Sequence, residues 1–411
     1  MKLKRLPEDF QVQELSEFAA SGSGEFALYR LIKRGLGTPE AVEAVVQRWK
    51  LDRRQVSFGG LKDRHAVTTQ SITIRRGPRR DLRQTNLELE YIGQAARPFL
   101  PSDIAGNRFA VVLRAISGDE MFAAESALAG VRRDGLPNYF DDQRFGSLGE
   151  SREFVARAWI AGDFERALWR AIADANPLDR PRDREAKRWL RLHWGDWPAC
   201  RSKLGKSSRG AIVEFLCDRP GDFRGAFVRI QSDQRMLYLA AFQSYLWNRL
   251  LAALLANVCA AHELVLVPCK IGELPFFTEL NDTTRSQLEA ATLPLPSSRE
   301  RLEDGPIKEL VDCSLGELGL TTRELRVKYP RDSFFSKGWR RATVHAGGLE
   351  HEAADDELYR GRSKLTIRFE VPRGSYATIL VKRITAAAGQ PSGEESAATD
   401  WVEHEETEAT I

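Results

Sequence analysis

Asp63 stands between two cations and beside a histidine, in the run Gly59-Gly60-Leu61-Lys62-Asp63-Arg64-His65-Ala66-Val67-Thr68-Thr69-Gln70. A single carboxylate in that setting suits work on a polyanion. The glycine pair lets the backbone turn tightly or lets a ligand come close. Lys62 and Arg64 can hold phosphates and set positive charge beside the carboxylate. His65 reads as a general base, a phosphate contact or a structural residue. By itself the run also suits a solvated charge cluster in a loop.

Three more segments carry chemistry-bearing residues. Lys4-Arg5-Leu6-Pro7-Glu8-Asp9-Phe10-Gln11-Val12-Gln13-Glu14 reads locally as an edge strand after a turn. Pro137-Asn138-Tyr139-Phe140-Asp141-Asp142-Gln143-Arg144-Phe145-Gly146 interleaves aromatics, amides and a cation. Those groups stack on a base and bond to its edges; the plainer reading is a turn whose aromatics enter the core. Arg368-Phe369-Glu370-Val371-Pro372-Arg373-Gly374-Ser375-Tyr376-Ala377-Thr378 reads as a buried hairpin. Basic residues gather at Arg75, Arg76, Arg79, Arg80 and Arg83. They recur at helical spacing at Arg182, Arg184, Lys187, Arg188 and Arg191, and again at Arg201, Lys203, Lys206 and Arg209. Such clusters can track a phosphate backbone or simply face water. The sequence contains no GxSxG elbow, HExxH, P-loop or well-placed GxGxxG.

Elements must position these groups. Thr38 and Pro39 mark a helix start, with Thr38 as cap, and Val42, Val45, Val46 and Trp49 share its face. Gln55 to Phe58, Thr68 to Arg75 and Arg108 to Ile116 read as strands, the last with Phe109, Val111 and Leu113 on one side. Beyond Gly146 the chain becomes helical and rich in Trp, Arg and Ala. Arg152 to Ala173 and Asp233 to Asn257 are the clearest helices, the second striped by Leu239, Leu246, Leu250 and Leu254. Strand alternation returns at Leu365, Ile367, Phe369 and Val371. An α/β domain split in sequence is therefore expected, at 1–150 and 331–386, with a mostly helical insert at 151–330.

Composition sets outer bounds. The chain has 411 residues, 42% hydrophobic and 29% charged, as in globular proteins. No apolar run is long enough to span a bilayer, and the first ten residues lack the apolar core of a signal peptide, so the cytoplasm is the expected location. Cys200, Cys217, Cys259, Cys269 and Cys313 are odd in number and form no CxxC pair, which fits reduced thiols and offers no metal motif. The net charge is +3, yet the stretch from Ala387 onward holds seven acids and no Lys or Arg. Residues 1–386 thus set 61 cations against 51 acids. A basic body with an acidic tail, expected to be disordered over 387–411, suits a nucleic-acid partner.

Taken in order, the four segments resemble the TruD family of tRNA pseudouridine synthases, whose members pair "PEDFxVxE", "GxKDxHAvTtQ", "NYFGxQRFG" and a late "RFxxPxGSxAT". The matching residues are Pro7 to Glu14, Gly60 to Gln70, Asn138 to Gly146 and Arg368 to Thr378. Gln243-Ser244-Tyr245-Leu246-Trp247-Asn248 is similar to a family helix. One departure is Asp141, where the family has glycine; aspartate tolerates positive φ better than most residues and adds a negative charge to the loop.

The resemblance implies a pseudouridine-synthase catalytic domain with a mixed, mainly antiparallel sheet, interrupted by the TruD-specific helical insert. It implies isomerisation of uridine in RNA, at position 13 of bacterial tRNAs, with neither cofactor nor metal. Asp63 matches the family's essential aspartate, acting either as a nucleophile or as a base toward the 2′ proton. Lys4 matches a family lysine near that aspartate and is expected to pair with Asp63, and Phe140 matches the aromatic expected to stack on the target base. Asn138 is expected to bond with Asp63 or the substrate. Phe10, Gln143 and Arg144, with the flanking Lys62 and Arg64, are expected RNA contacts or supports. The insert is expected to form the other wall of a basic cleft. The expected partner is tRNA, with other structured RNAs as further family targets; no membrane is involved and a monomer is expected. The alternative is a non-catalytic RNA-binding protein on the same fold.

Overall fold

The computed structural model describes residues 1–177 and 179–389. The chain divides into two compact units, Met1–Leu136 with the residues from Val344 onward, and Pro137–Thr343. The texture of the sequence changes at about 151 and 330, inside these limits. The segment from Asn138 belongs with the second unit because its backbone and side chains bond to Ala342, Arg341 and Asn248 there.

The first unit is built on a ten-stranded sheet, mixed and mainly antiparallel. Its strands are β1 (Lys2–Leu3), β2 (Phe10–Ser16), β3 (Phe26–Arg34), β4 (Val56–Phe58), β5 (Val67–Arg75), β6 (Leu82–Gln84), β7 (Leu87–Ala95), β8 (Ile104–Ile116), β9 (Gly347–Asp355) and β10 (Ser363–Pro372). The order is β9-β10-β8-β2-β5-β3-β7-β6, with β1 added to β8 and β4 to β5. The late strand β10 pairs with β8, Phe369 opposite Phe109, so the two ends of the chain close one sheet.

Strand β2 is central. It runs antiparallel to β8, Phe10 opposite Val111, and parallel to β5, Gln11 opposite Val67. The edge-strand reading fails because β2 is paired on both sides, which nothing local in its sequence reveals. Glu14 points inward with Phe10 and Val12.

Helix α1 (Thr38–Trp49) covers one face through Ala41, Val42 and Val45, packed on Tyr29, Leu31 and Ile72. Each such valine contributes about 1.5 kcal/mol or more by leaving water. The N-cap is Gly37, which has no side chain to offer, and Thr38 is the first helical residue. The Thr38 hydroxyl is instead directed to the Asp63 loop. Helix α2 (Gly118–Asp134) starts in a capping box of Ser117 and Glu120. It packs against α3 (Ala377–Ala387). The segment from Arg368 to Thr378 is thus the end of a strand, a turn at Gly374 (φ +86°) and the start of a helix, not a hairpin. Its β-branched run suggested a strand, but Ile379, Leu380 and Ile384 are buried on a helical face. The acidic stretch from Glu394 lies outside the described residues.

The second unit is mainly helical. The stretch from Arg152 to Ala173 forms two helices, Val155–Ala161 and Phe164–Ile172. Gly162 ends the first at φ +85°, and the Asp163 carboxylate caps the second by accepting from the Arg166 N–H. The long helix Ser232–Val258 matches the expected one and buries Leu239, Leu246, Trp247 and Leu250. A hairpin, Leu264–Cys269 with Gly272–Phe277, and a short pair, Thr292–Pro294 with Trp339–Arg341, complete the parts used below.

Candidate active site

Asp63 lies on the loop between β4 and β5, partly exposed, and its backbone is tied from several sides. The Thr38 hydroxyl accepts from the Lys62 N–H at 3.0 Å and donates to Gln70 Oε1 at 2.9 Å. Gln70 Nε2 donates to the Gly60 carbonyl at 3.1 Å. The buried Lys33 ammonium donates to the Asp63 carbonyl at 2.6 Å and lies 3.4 Å from the Lys62 carbonyl. Gly59 is needed for packing, since a Cβ there would come within 2.7 Å of Phe99 and 2.5 Å of Ile104; at Gly60 the nearest atom lies 4.0 Å away.

The Asp63 carboxylate pairs with Lys4, Nζ to Oδ2 at 3.2 Å. Lys4 holds a left-handed backbone, φ 55°, a conformation that non-glycine residues seldom adopt and that clusters at functional sites. Its ammonium also sits 4.1 Å from the centre of the Phe10 ring. Phe10 is 2% exposed and meets Phe109 edge-on, which in turn stacks on Phe369. Phe10 is therefore a floor under Lys4. The next turn is fixed by Asp9, whose carboxylate accepts from the Leu6 N–H and from buried Arg114. Arg114 also bonds Asp356 at 3.0 Å.

The flanking cations turn elsewhere. Lys62 Nζ pairs with buried Glu14 at 2.9 Å and donates to Asn107 Oδ1 at 2.9 Å. Arg64 meets Glu40 at 3.5 Å, with both side chains about half exposed. His65 is exposed.

Asn138, Phe140, Gln143 and Arg144 lie together in the second unit. Tyr139 and Phe145 enter the core, as the plainer reading had it, while Phe140 is only partly covered. Asn248, buried in the long helix, grips the Phe140 backbone twice. Its Oδ1 accepts from the Phe140 N–H at 2.9 Å and its Nδ2 donates to the Phe140 carbonyl at 2.7 Å. Trp247 meets the Phe140 ring edge-on at 5.5 Å. Arg340 lies 4.3 Å from the ring centre and donates to the Asn138 carbonyl and Oδ1 at 2.7 and 2.5 Å. Asn138 Nδ2 donates to the Arg341 carbonyl. Arg144 bonds the Ser244 hydroxyl, and Gln143 is exposed. Asp141 adopts φ −87° and ψ 169°, extended backbone open to any L-residue, so glycine is not required there.

Sequence reasoning missed Lys33, Arg114 and Arg340. Lys33 lies in β3, a strand not read from the sequence. The Trp339-Arg340-Arg341 run was a signal for Arg340, though nothing local tied it to Phe140. Many basic residues are paired. Arg75 and Arg76 share Glu25, Lys187 holds Asp179, Lys203 holds Glu185, and Arg209 holds Asp183. Arg79, Arg80, Arg182, Arg188 and Lys206 are exposed, with no ion pair among the described residues.

Residues 1–384 match the family model described as tRNA pseudouridine synthase D (TruD). A Methanopyrus kandleri protein named "Probable tRNA pseudouridine synthase D" is 30% identical over 374 residues, covering 90% of this chain and 87% of that one. The tRNA pseudouridine synthase D of Aquifex aeolicus is 26% identical over 391 residues, covering 93% and 98%. A crystal structure of a Methanosarcina mazei protein, designated a candidate TruD, superposes with a TM-score of 0.71 at 23% identity, covering 94% of this chain and 93% of that one.

Proposed function

Because this chain belongs to the TruD family of tRNA pseudouridine synthases, we propose that it isomerises uridine 13 of tRNA to pseudouridine with Asp63 as the essential carboxylate. The reaction breaks the C1′–N1 bond, turns the uracil and joins C5 to C1′. C5 gives up a proton and N1 gains one, so the atoms balance without a co-reactant. The protein's task is to expose the nucleotide, place one carboxylate against it and hold the base while it turns.

The observation that carries the reading is the convergence of two distant motifs on one carboxylate. Lys4 engages Oδ2 of Asp63, which leaves Oδ1 for the substrate. With its backbone anchored, the carboxylate is presented without reorganisation, which favours catalysis by either a nucleophile or a base. Within the second unit, Phe140 presents a partly covered ring with the Arg340 cation beside it, groups of the kind that stack on a base. The first unit serves as the catalytic domain and the second as the inserted domain that grips folded RNA through its exposed arginines and lysines.

The test is site-resolved pseudouridine formation in unmodified tRNA transcripts, with wild type and Asp63→Asn. Product at position 13 from wild type alone supports the assignment. Equal turnover by Asp63→Asn removes Asp63 from its role. RNA bound by wild type without product would favour the non-catalytic alternative.

A further inference from the structure

Lys33 lies near the end of β3 and is 1% exposed. Burying an ammonium is costly unless its N–H groups are met and its charge offset. Here three backbone carbonyls surround it, those of Leu36 and Asp63 at 2.6 Å and that of Lys62 at 3.4 Å. An ammonium has three N–H donors, so the arrangement can use them all. Among the described residues no carboxylate lies at ion-pair distance. The charged groups facing it are Asp63 and Glu40, which favour the cation, and Lys62, which opposes it. Burial outweighs them and pushes the Lys33 ammonium down to about 8. Leucine or methionine would fill the space without that cost. A buried lysine with a lowered value, bonded to the backbone of a site residue, marks function more than packing.

We propose that Lys33 is a positioning residue for Asp63, its charged ammonium joining the turn before α1 to the carbonyls of residues 62 and 63 and so fixing where the carboxylate reaches. The inference rests on Asp63 being the essential carboxylate. Lys33 touches the Asp63 peptide and acts through it. Losing the ammonium frees that peptide to rotate, and a rotation there swings the carboxylate away from the reacting carbon. Losing only its proton removes the positive charge beneath the loop and one of the three donors.

The sign of the pH effect separates this role from a purely structural one. Between about 8 and the ordinary lysine range, the unfolded chain binds more protons at this position than the folded one. This group's contribution to stability therefore rises with pH across that window. Activity falls over the same window, because the ammonium is lost. A structural lysine would move both together.

The experiment measures single-turnover rate, tRNA affinity and thermal unfolding for wild type, Lys33→Met and Asp63→Asn across pH. Lys33→Met is expected to bind tRNA within about threefold of wild type while reacting about a hundredfold slower. The wild-type rate is expected to descend through pH about 8 without loss of stability, and that limb should vanish in Lys33→Met. Wild-type turnover by Lys33→Met, or a rate loss that tracks its unfolded fraction, overturns the proposal. If Lys33→Met does not fold, the wild-type profile decides, and a flat rate from pH 7 to 9 overturns it. Active wild type with inactive Asp63→Asn and normal Lys33→Met defeats this inference alone. Inactive wild type defeats the synthase reading as well.

Discussion

Lys62 and Glu14 form an ion pair of 2.9 Å whose side chains are 9% and 0% exposed, next to Asp63 but directed away from it. The last residue of the first motif thus holds the second motif in place. Glu14 also accepts from the Ser71 N–H of β5, so one carboxylate ties the loop to the parallel pair of strands beneath it.

Removing one partner leaves a buried charge without compensation. Glu14→Leu should lower unfolding free energy by about 3–5 kcal/mol in denaturant titrations. The double variant Glu14→Leu/Lys62→Met should recover most of that loss. A single variant as stable as wild type would mean that Asn107, to which Lys62 already donates, is enough to hold the ammonium.

Lys4→Met keeps the bulk over Phe10 but removes the cation at Asp63 Oδ2. The single-turnover rate should drop by about a hundredfold, with tRNA affinity changed much less. Both groups are partly exposed, so the melting temperature should shift little. A matching loss of affinity and rate would assign Lys4 to phosphate binding instead.

Asn248→Leu removes the side-chain bonds to the N–H and carbonyl of Phe140, each loss costing about 1–3 kcal/mol. Calorimetry should register the loss, and modification should fall with it because the ring of Phe140 loses its mount. Intact stability would show that water replaces both bonds.

Phe140→Ala should weaken the reaction by about 1–3 kcal/mol, the worth of stacking one base. Phe140→Tyr should retain most of it. Arg340→Lys should resemble Arg340→Ala, since a lysine cannot both span the two Asn138 oxygens and cover the ring. Full activity in Arg340→Lys would leave only its charge in play.

Local chemistry was legible wherever one element determined it. The helix from Thr38, the strands expected from Gln55, Thr68 and Arg108, and the long helix expected from Asp233 all form where period and turn residues put them, to within a few residues. The break at Gly162 could have been read from Gly-Asp, a stop followed by a cap. What the sequence hid is contact across distance. Lys62 looked like a partner for phosphate because Glu14 is 48 residues away on another strand. The helix Ala377–Ala387 looked like a strand because α2, which it packs against, lies more than 240 residues earlier in the chain. Phe10 could be read only as an RNA contact or a support, because its neighbours Phe109 and Phe369 come from other strands.

The ties on the Asp63 loop reach in from outside it, from Thr38, Gln70, Lys33 and Lys4, and the Lys62 side chain is engaged in return by Glu14. Leu61, 70% exposed, and the half-exposed Arg64 are therefore at liberty to change. A library randomised at those two positions should stay folded almost throughout, most members within about 0.5 kcal/mol of wild type. The loop's shape and its outward chemistry are separately heritable, which makes this rim a natural place to breed a preference for a different RNA.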